Sequence, residues 1–136
     1  MNNKKYLPLN KSDLDFADEL YKIDNVDAIK GDIPVLMKWL QDYNWPPADL
    51  ICEYLLKFPL ITYKKEILEI LNSNDNVWKY WILVRLIKPA ITKKDNWLIP
   101  KVEKITLNPS LGEKENEVDE IAQEIIDKLT FNNLFE

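Results

Sequence analysis

Two segments of this 136-residue chain echo one another. Trp39-Leu40-Gln41-Asp42-Tyr43-Asn44-Trp45-Pro46 opens one apolar stretch, Asn74-Asp75-Asn76-Val77-Trp78-Lys79-Tyr80-Trp81 opens another, and Trp45 and Trp78 stand 33 positions apart. A recurrence at that period, in which each unit ends one helix, turns and begins the next, is the sequence pattern of stacked helical hairpins.

The rest of the chain is spaced to match. Ser12 precedes Leu14, Phe16, Ala17, Leu20, Tyr21 and Ile23, with Asp13 and Asp15 placed for the first turn of a helix, where the dipole favours acids. Asp32 is set to cap a second helix with Pro34 in its first turn and Val35, Leu36, Trp39, Leu40 and Tyr43 as its stripe. Pro46-Pro47 forces a break, and a third helix runs from Pro47 toward Phe58. Thr62 is placed to cap a fourth, which carries Ile67, Leu68, Ile70 and Leu71. The fifth, from Val77 to Ile87, is apolar nearly all round, which predicts a central helix packed on several sides and ending before Pro89. A sixth lies around Asp95 to Leu107 with a kink or late start at Pro100, and the seventh is written by Val118, Ile121, Ala122, Ile125, Ile126 and Leu129. Gly31 and Gly112, the two glycines, fall between these helices. The expected fold is a single all-α domain over residues 1–136, a short HEAT-like α-α superhelix of six to seven helices.

Composition removes most chemistry. There is no histidine, so histidine-based triads, zinc or haem ligation and the commonest general base are excluded. Two glycines cannot make a phosphate-cradling loop, and a calcium loop starting at Asp24 would have Val26 and Ala28 at ligand positions. Cys52, the one cysteine, sits on an apolar helical face and reads as a small buried hydrophobe. The start of the chain lacks the apolar run of a signal peptide, and no stretch approaches the roughly 20 apolar residues of a membrane span, so a cytoplasmic protein without a membrane role is expected. The 17 lysines against the single Arg85 fit a lysine-biased, AT-rich bacterial genome. No cofactor and no metal are expected.

Net charge is −5, and residues 113–127 hold seven acids against Lys114, a local −6 that leaves the remainder near neutral. That balance disfavours nucleic acid. Glu117, Glu120 and Glu124, and Asp119, Gln123 and Asp127, fall in rows along the last helix; a solvated face, a dock for a basic partner and a carboxylate site all remain open readings. Asp42 and Asn44 beside Trp45, with Asp75 and Trp78 of the second echo, are either turn and cap residues or the partner-binding edge of the repeat. Tryptophans 39, 45 and 78 are either core or the floor of a ligand pocket, and one of Trp78 and Trp81 is expected to be partly exposed. Arg85 is expected in a buried pair with Glu53 or Asp119, and Phe131, Leu134 and Phe135 are expected to pack back on the last helix.

The segments Trp39 to Pro46, Val77 to Trp81 and Glu117-Val118-Asp119-Glu120-Ile121-Ala122 together resemble a family of small bacterial proteins with a domain of unknown function, from about Leu7 to Leu129. The resemblance implies a short HEAT-type superhelix and no activity. Acidic helical chains of this size are also similar in type to the immunity partners of bacterial toxins. The expected function is therefore non-catalytic protein binding by a monomer or weak homo-oligomer. In its sharpest form an immunity protein covers a basic toxin domain through Glu117, Asp119, Glu120 and Glu124. The alternatives are a small carboxylate enzyme or a ligand binder with a tryptophan-lined pocket.

Overall fold

Prolines open three of the helices in the computed structural model of the chain, which describes residues 4–134 and the side chains of residues 4–131. A proline lacks the N–H that the first turn leaves unbonded anyway, so it starts a helix at little cost. All regular structure among the described residues is helical. Contacts divide the chain into two compact units, Met1–Pro59 and Leu60–Glu136.

In the first unit, α1 (Phe16–Leu20) buries Phe16, Ala17 and Leu20. It starts later than the Ser12 boundary expected from sequence, because Asp13 accepts from the N–H groups of Leu9 and Asp15 and so builds a turn ahead of the helix, leaving Leu14 50% exposed. Val26–Asp32 forms a 3₁₀ turn opened by Asn25, whose side chain accepts from Asp27 N, so Gly31 lies inside this turn. Asp32 stands at the start of α2 (Ile33–Lys38) but its side chain makes no capping bond. It takes Lys4 at 2.9 Å and the hydroxyl of Tyr6 instead. Burial pushes the Asp32 carboxyl up, and those two donors outweigh it and hold the group below its ordinary value. After a 3₁₀ turn at Trp39–Gln41, α3 (Pro47–Leu55) buries Ala48, Ile51, Cys52, Tyr54 and Leu55. The Tyr54 hydroxyl donates to Ile23 O at 2.8 Å and that of Tyr21 to Leu50 O at 2.8 Å, fastening the segment after α1 to α3.

These phenols set a pH limit. Burial and then the nearby Glu53 carboxylate push Tyr21 up to about 12, burial and Asp32 push Tyr6 up to about 12, and Tyr43 and Tyr54 are also raised, mainly by burial. A phenol that holds its proton more tightly when folded contributes stability that is full below pH 10, the ordinary tyrosine value, and is lost as pH rises toward the folded value. Denaturant midpoints measured from pH 8 to 11.5 should fall above pH 10, and Tyr21→Phe should flatten that fall. A Tyr21→Phe slope equal to the parent's would mean that Tyr21 titrates alike in folded and unfolded chains.

In the second unit a 3₁₀ turn (Leu60–Tyr63) leads into α4 (Lys64–Leu71). Thr62 therefore sits inside the turn rather than capping the helix, and the N-cap position falls to Tyr63, without a side-chain bond. Then α5 (Asn76–Trp81) widens into a π-helical stretch at Ile82–Ile87 and continues into α6 (Lys88–Ala90). The expected stop before Pro89 is overturned: in the wide turn the Lys88 N–H reaches back to Leu83 O, and the helix accommodates the proline just beyond. Nor is this helix buried all round. Ile82, Leu83, Leu86 and Ile87 are core, whereas Val77 and Arg85 are exposed.

Helix α7 (Ile99–Leu107) makes the late start allowed by Pro100 and packs on α9 (Val118–Leu134) through a core that holds Leu98, Val102, Ile121, Ala122 and Ile125. A short helix, α8 (Leu111–Glu115), replaces the expected turn and takes Gly112 into its first turn. Among the described residues no helix is long and apolar enough to cross a membrane.

Candidate functional site

The acidic stretch is built around two helix ends. Ser110 and Glu113 form a reciprocal capping box: Ser110 Oγ accepts from Glu113 N at 3.1 Å and Glu113 Oε1 accepts from Ser110 N at 2.8 Å. Glu113 also takes Lys79 Nζ at 3.3 Å and is only 8% exposed, so this member of the acidic stretch 113–127 is withdrawn from the surface. Helix α8 closes through Asn116, and the chain turns into α9 at Glu117, which has φ of 60°. An L-residue in that left-handed position costs about 1–2 kcal/mol that glycine does not. Glu117→Gly should raise stability by about 1 kcal/mol, and an unchanged or lowered denaturant midpoint would place the strain elsewhere.

Glu117 is exposed just before α9, and along the helix Glu120, Gln123, Glu124 and Asp127 are exposed, opposite the buried Val118, Ile121, Ala122 and Ile125. Gln123 Nε2 donates to Asp127 Oδ1 at 3.0 Å, and Glu124 pairs with Lys88 at 2.9 Å. Asp119 differs from the others. It is half-buried, and its Oδ1 is shielded from solvent with no hydrogen-bond partner among the described residues.

The other residues singled out by sequence are chiefly structural. Asp42 does not cap α3; its Oδ1 accepts from Asn44 N at 2.9 Å, a local turn in which Asn44 gives its backbone N–H and leaves its side chain exposed. Trp45 meets Trp39 edge-to-face at 5.6 Å, with Lys11 Nζ 5.2 Å from the Trp45 ring centre. Asp75 caps α5 by accepting from Trp78 N at 3.0 Å. Trp78 and Trp81 are both half-buried. Thus Trp39 and Trp45 meet inside the first unit, and Trp78 belongs to the second. Arg85 is exposed and lies over the Trp81 ring at 5.9 Å, which overturns its expected burial: Ile82, Leu83, Leu86 and Ile87 form the core face of its helix, and Arg85 falls on the opposite side. Phe131 is 60% exposed instead of packing back, while the side chain of Leu134 and all of Phe135 lie outside the described residues. Cys52 is buried as expected. Among the described residues no three acids and cysteines converge as metal ligands would.

Residues 6–126 match the family described as Domain of unknown function (DUF5071). The chain belongs to that family. The match takes in residues of both units and every candidate residue from Asp42 to Glu124, and it ends one position before Asp127. No curated protein matches the chain.

Sequence reasoning overlooked Lys79. A lone cation in the apolar run Val77 to Leu83 needs a partner if it faces the core, and Ser110-Leu111-Gly112-Glu113 is a readable capping-box sequence that supplies one.

Proposed function

We propose that this DUF5071 chain is a non-catalytic protein-interaction module of a bacterial cytoplasm, with HEAT-like helix pairs and the tryptophan-proline segment as a family mark. In this reading it acts as an immunity protein that captures a basic toxin domain. The observation that carries the reading is the exposed acidic face of α9, where Glu120, Glu124 and Asp127 project from a helix whose other side is core and Glu117 stands exposed just before its first residue. Acids fixed on a rigid element steer a cationic partner into register without loop ordering. Asp119, half-buried beside those acids, adds its charge to the same field.

The test is affinity capture of the tagged chain from its host, followed by stopped-flow association with the captured partner. A single near-equimolar basic protein, toxic when expressed alone, is the expected result. Glu120→Lys/Glu124→Lys should slow association by about tenfold or more and weaken its salt dependence. The fold should tolerate this change, since the Lys88 pair that it breaks is exposed and worth at most about 1 kcal/mol. Absence of any stoichiometric partner, or association indifferent to salt and to these changes, would overturn the reading.

A further inference from the structure

The second unit holds a cavity of about 210 Å³ whose chemistry runs against the charge of the chain. Net charge overall is −5, yet the cavity lining carries Lys79, Lys101 and Lys104 against the single acid Glu113. Lys101 and Lys104 lie three positions apart on α7 and so share one face. Neither makes an ion pair among the described residues. Asn72, Asn74 and Asn108 also line the cavity, and their side-chain amides make no hydrogen bond among the described residues.

Lys79 is different in kind, because it is 5% exposed and fixed by Glu113 at 3.3 Å. An ammonium has three N–H donors, and Glu113 takes one. The charge of Glu113 is in turn shared with Ser110 N. The cavity lining thus combines one buried cation fixed by Glu113 with two exposed cations that make no ion pair among the described residues, and with three exposed asparagines.

From this arrangement we propose that the cavity binds the phosphate group of a small molecule. Lysines act as point charges on a tetrahedral oxyanion and do not need the planar fork that arginine offers a carboxylate. The volume is below the roughly 300–1,000 Å³ of sites for drug-sized ligands and suits a phosphate with a short organic body. The site lies apart from the exposed row of α9 used above, and the proposal stands whether or not that row binds a protein.

The probes are inorganic phosphate and glycerol 3-phosphate, titrated into the full chain and followed by amide NMR shifts. Saturable shifts confined to Asn72, Asn74, Lys101, Lys104 and Asn108 are expected, with glycerol 3-phosphate the tighter of the two. Lys101→Gln/Lys104→Gln alters only exposed side chains and should weaken binding by on the order of tenfold. Lys64→Gln/Lys65→Gln, which removes the same charge at the far end of α4, should leave the affinity within about twofold. Equal weakening by both pairs, shifts scattered over surface lysines, or no saturation at tens of millimolar would each overturn the proposal.

Discussion

Lys79→Met is expected to destabilise the second unit by about 3–5 kcal/mol, far more than the removal of a surface lysine. The loss is not that of one attraction. Lys79 and Glu113 are 5% and 8% exposed and 3.3 Å apart, so removal of the cation leaves a carboxylate without its counter-charge in a site largely withdrawn from water. Glu113 cannot simply turn outward, because its other oxygen closes the capping box on Ser110 N at 2.8 Å, and rotation would surrender the start of α8 as well. The pair spans 34 positions and ties α5 to α8, the element that delivers the chain to the left-handed Glu117 and so to the first turn of the acidic helix. The check is urea denaturation of Lys79→Met alone and with Glu113→Gln. Glutamine keeps an acceptor for Ser110 N and removes the stranded charge, so the double variant should recover at least half of the loss. A single variant within about 1 kcal/mol of the parent would show that the pair is solvated and interchangeable with surface pairs.

That pair also marks where the sequence ceased to be legible. Periodicity located α4, α7 and α9 closely, since each buries one face on neighbours of its own unit and carries Ile67 and Ile70, Val102 and Ile105, or Ile121 and Ile125 at helical spacing. It failed wherever the backbone leaves the 3.6-residue repeat. The 3₁₀ turns at Val26–Asp32 and Leu60–Tyr63 are too short for a period to register, and the π stretch at Ile82–Ile87 carries the helix on past the stop expected at Pro89. For the site, spacing alone identified the exposed row of Glu117, Glu120 and Glu124. It did not separate Glu113 from the other acids of 113–127, although that side chain serves its own helix start and is buried. The echo of Trp45 and Trp78 is real in sequence, but the two fill different local places: Trp45 in the turn before α3, Trp78 in the first turn of α5. The Lys101 and Lys104 pair carried no signal, since two lysines on a polar face look the same whether they line a cavity or only meet water.

In the first unit the largest single loss is expected at Tyr54. Tyr54→Ala should cost about 3–5 kcal/mol, because the ring is 1% exposed, lies against Phe58 at 5.3 Å and Tyr21 at 6.1 Å, and would leave a cavity among helix residues that cannot all collapse into it. Tyr54→Phe isolates the hydroxyl. It keeps the ring contacts and removes only the bond to Ile23 O, whose residue is partly solvent-exposed, so that carbonyl can recruit water and the cost should be about 1 kcal/mol. The ratio of the two losses distinguishes packing from polar anchoring as the force that holds the segment after α1 on α3. Comparable losses would mean that the hydrogen bond, not the ring, sets the position of that segment. Tyr54→Phe carries a second, independent readout: its phenol is held above the ordinary value by burial and then by the Asp24 carboxylate, so the variant should lose less stability than the parent between pH 10 and 11.5. A variant that is weaker at neutral pH yet less sensitive to alkali follows only if the Tyr54 hydroxyl is both bonded and desolvated in the folded chain.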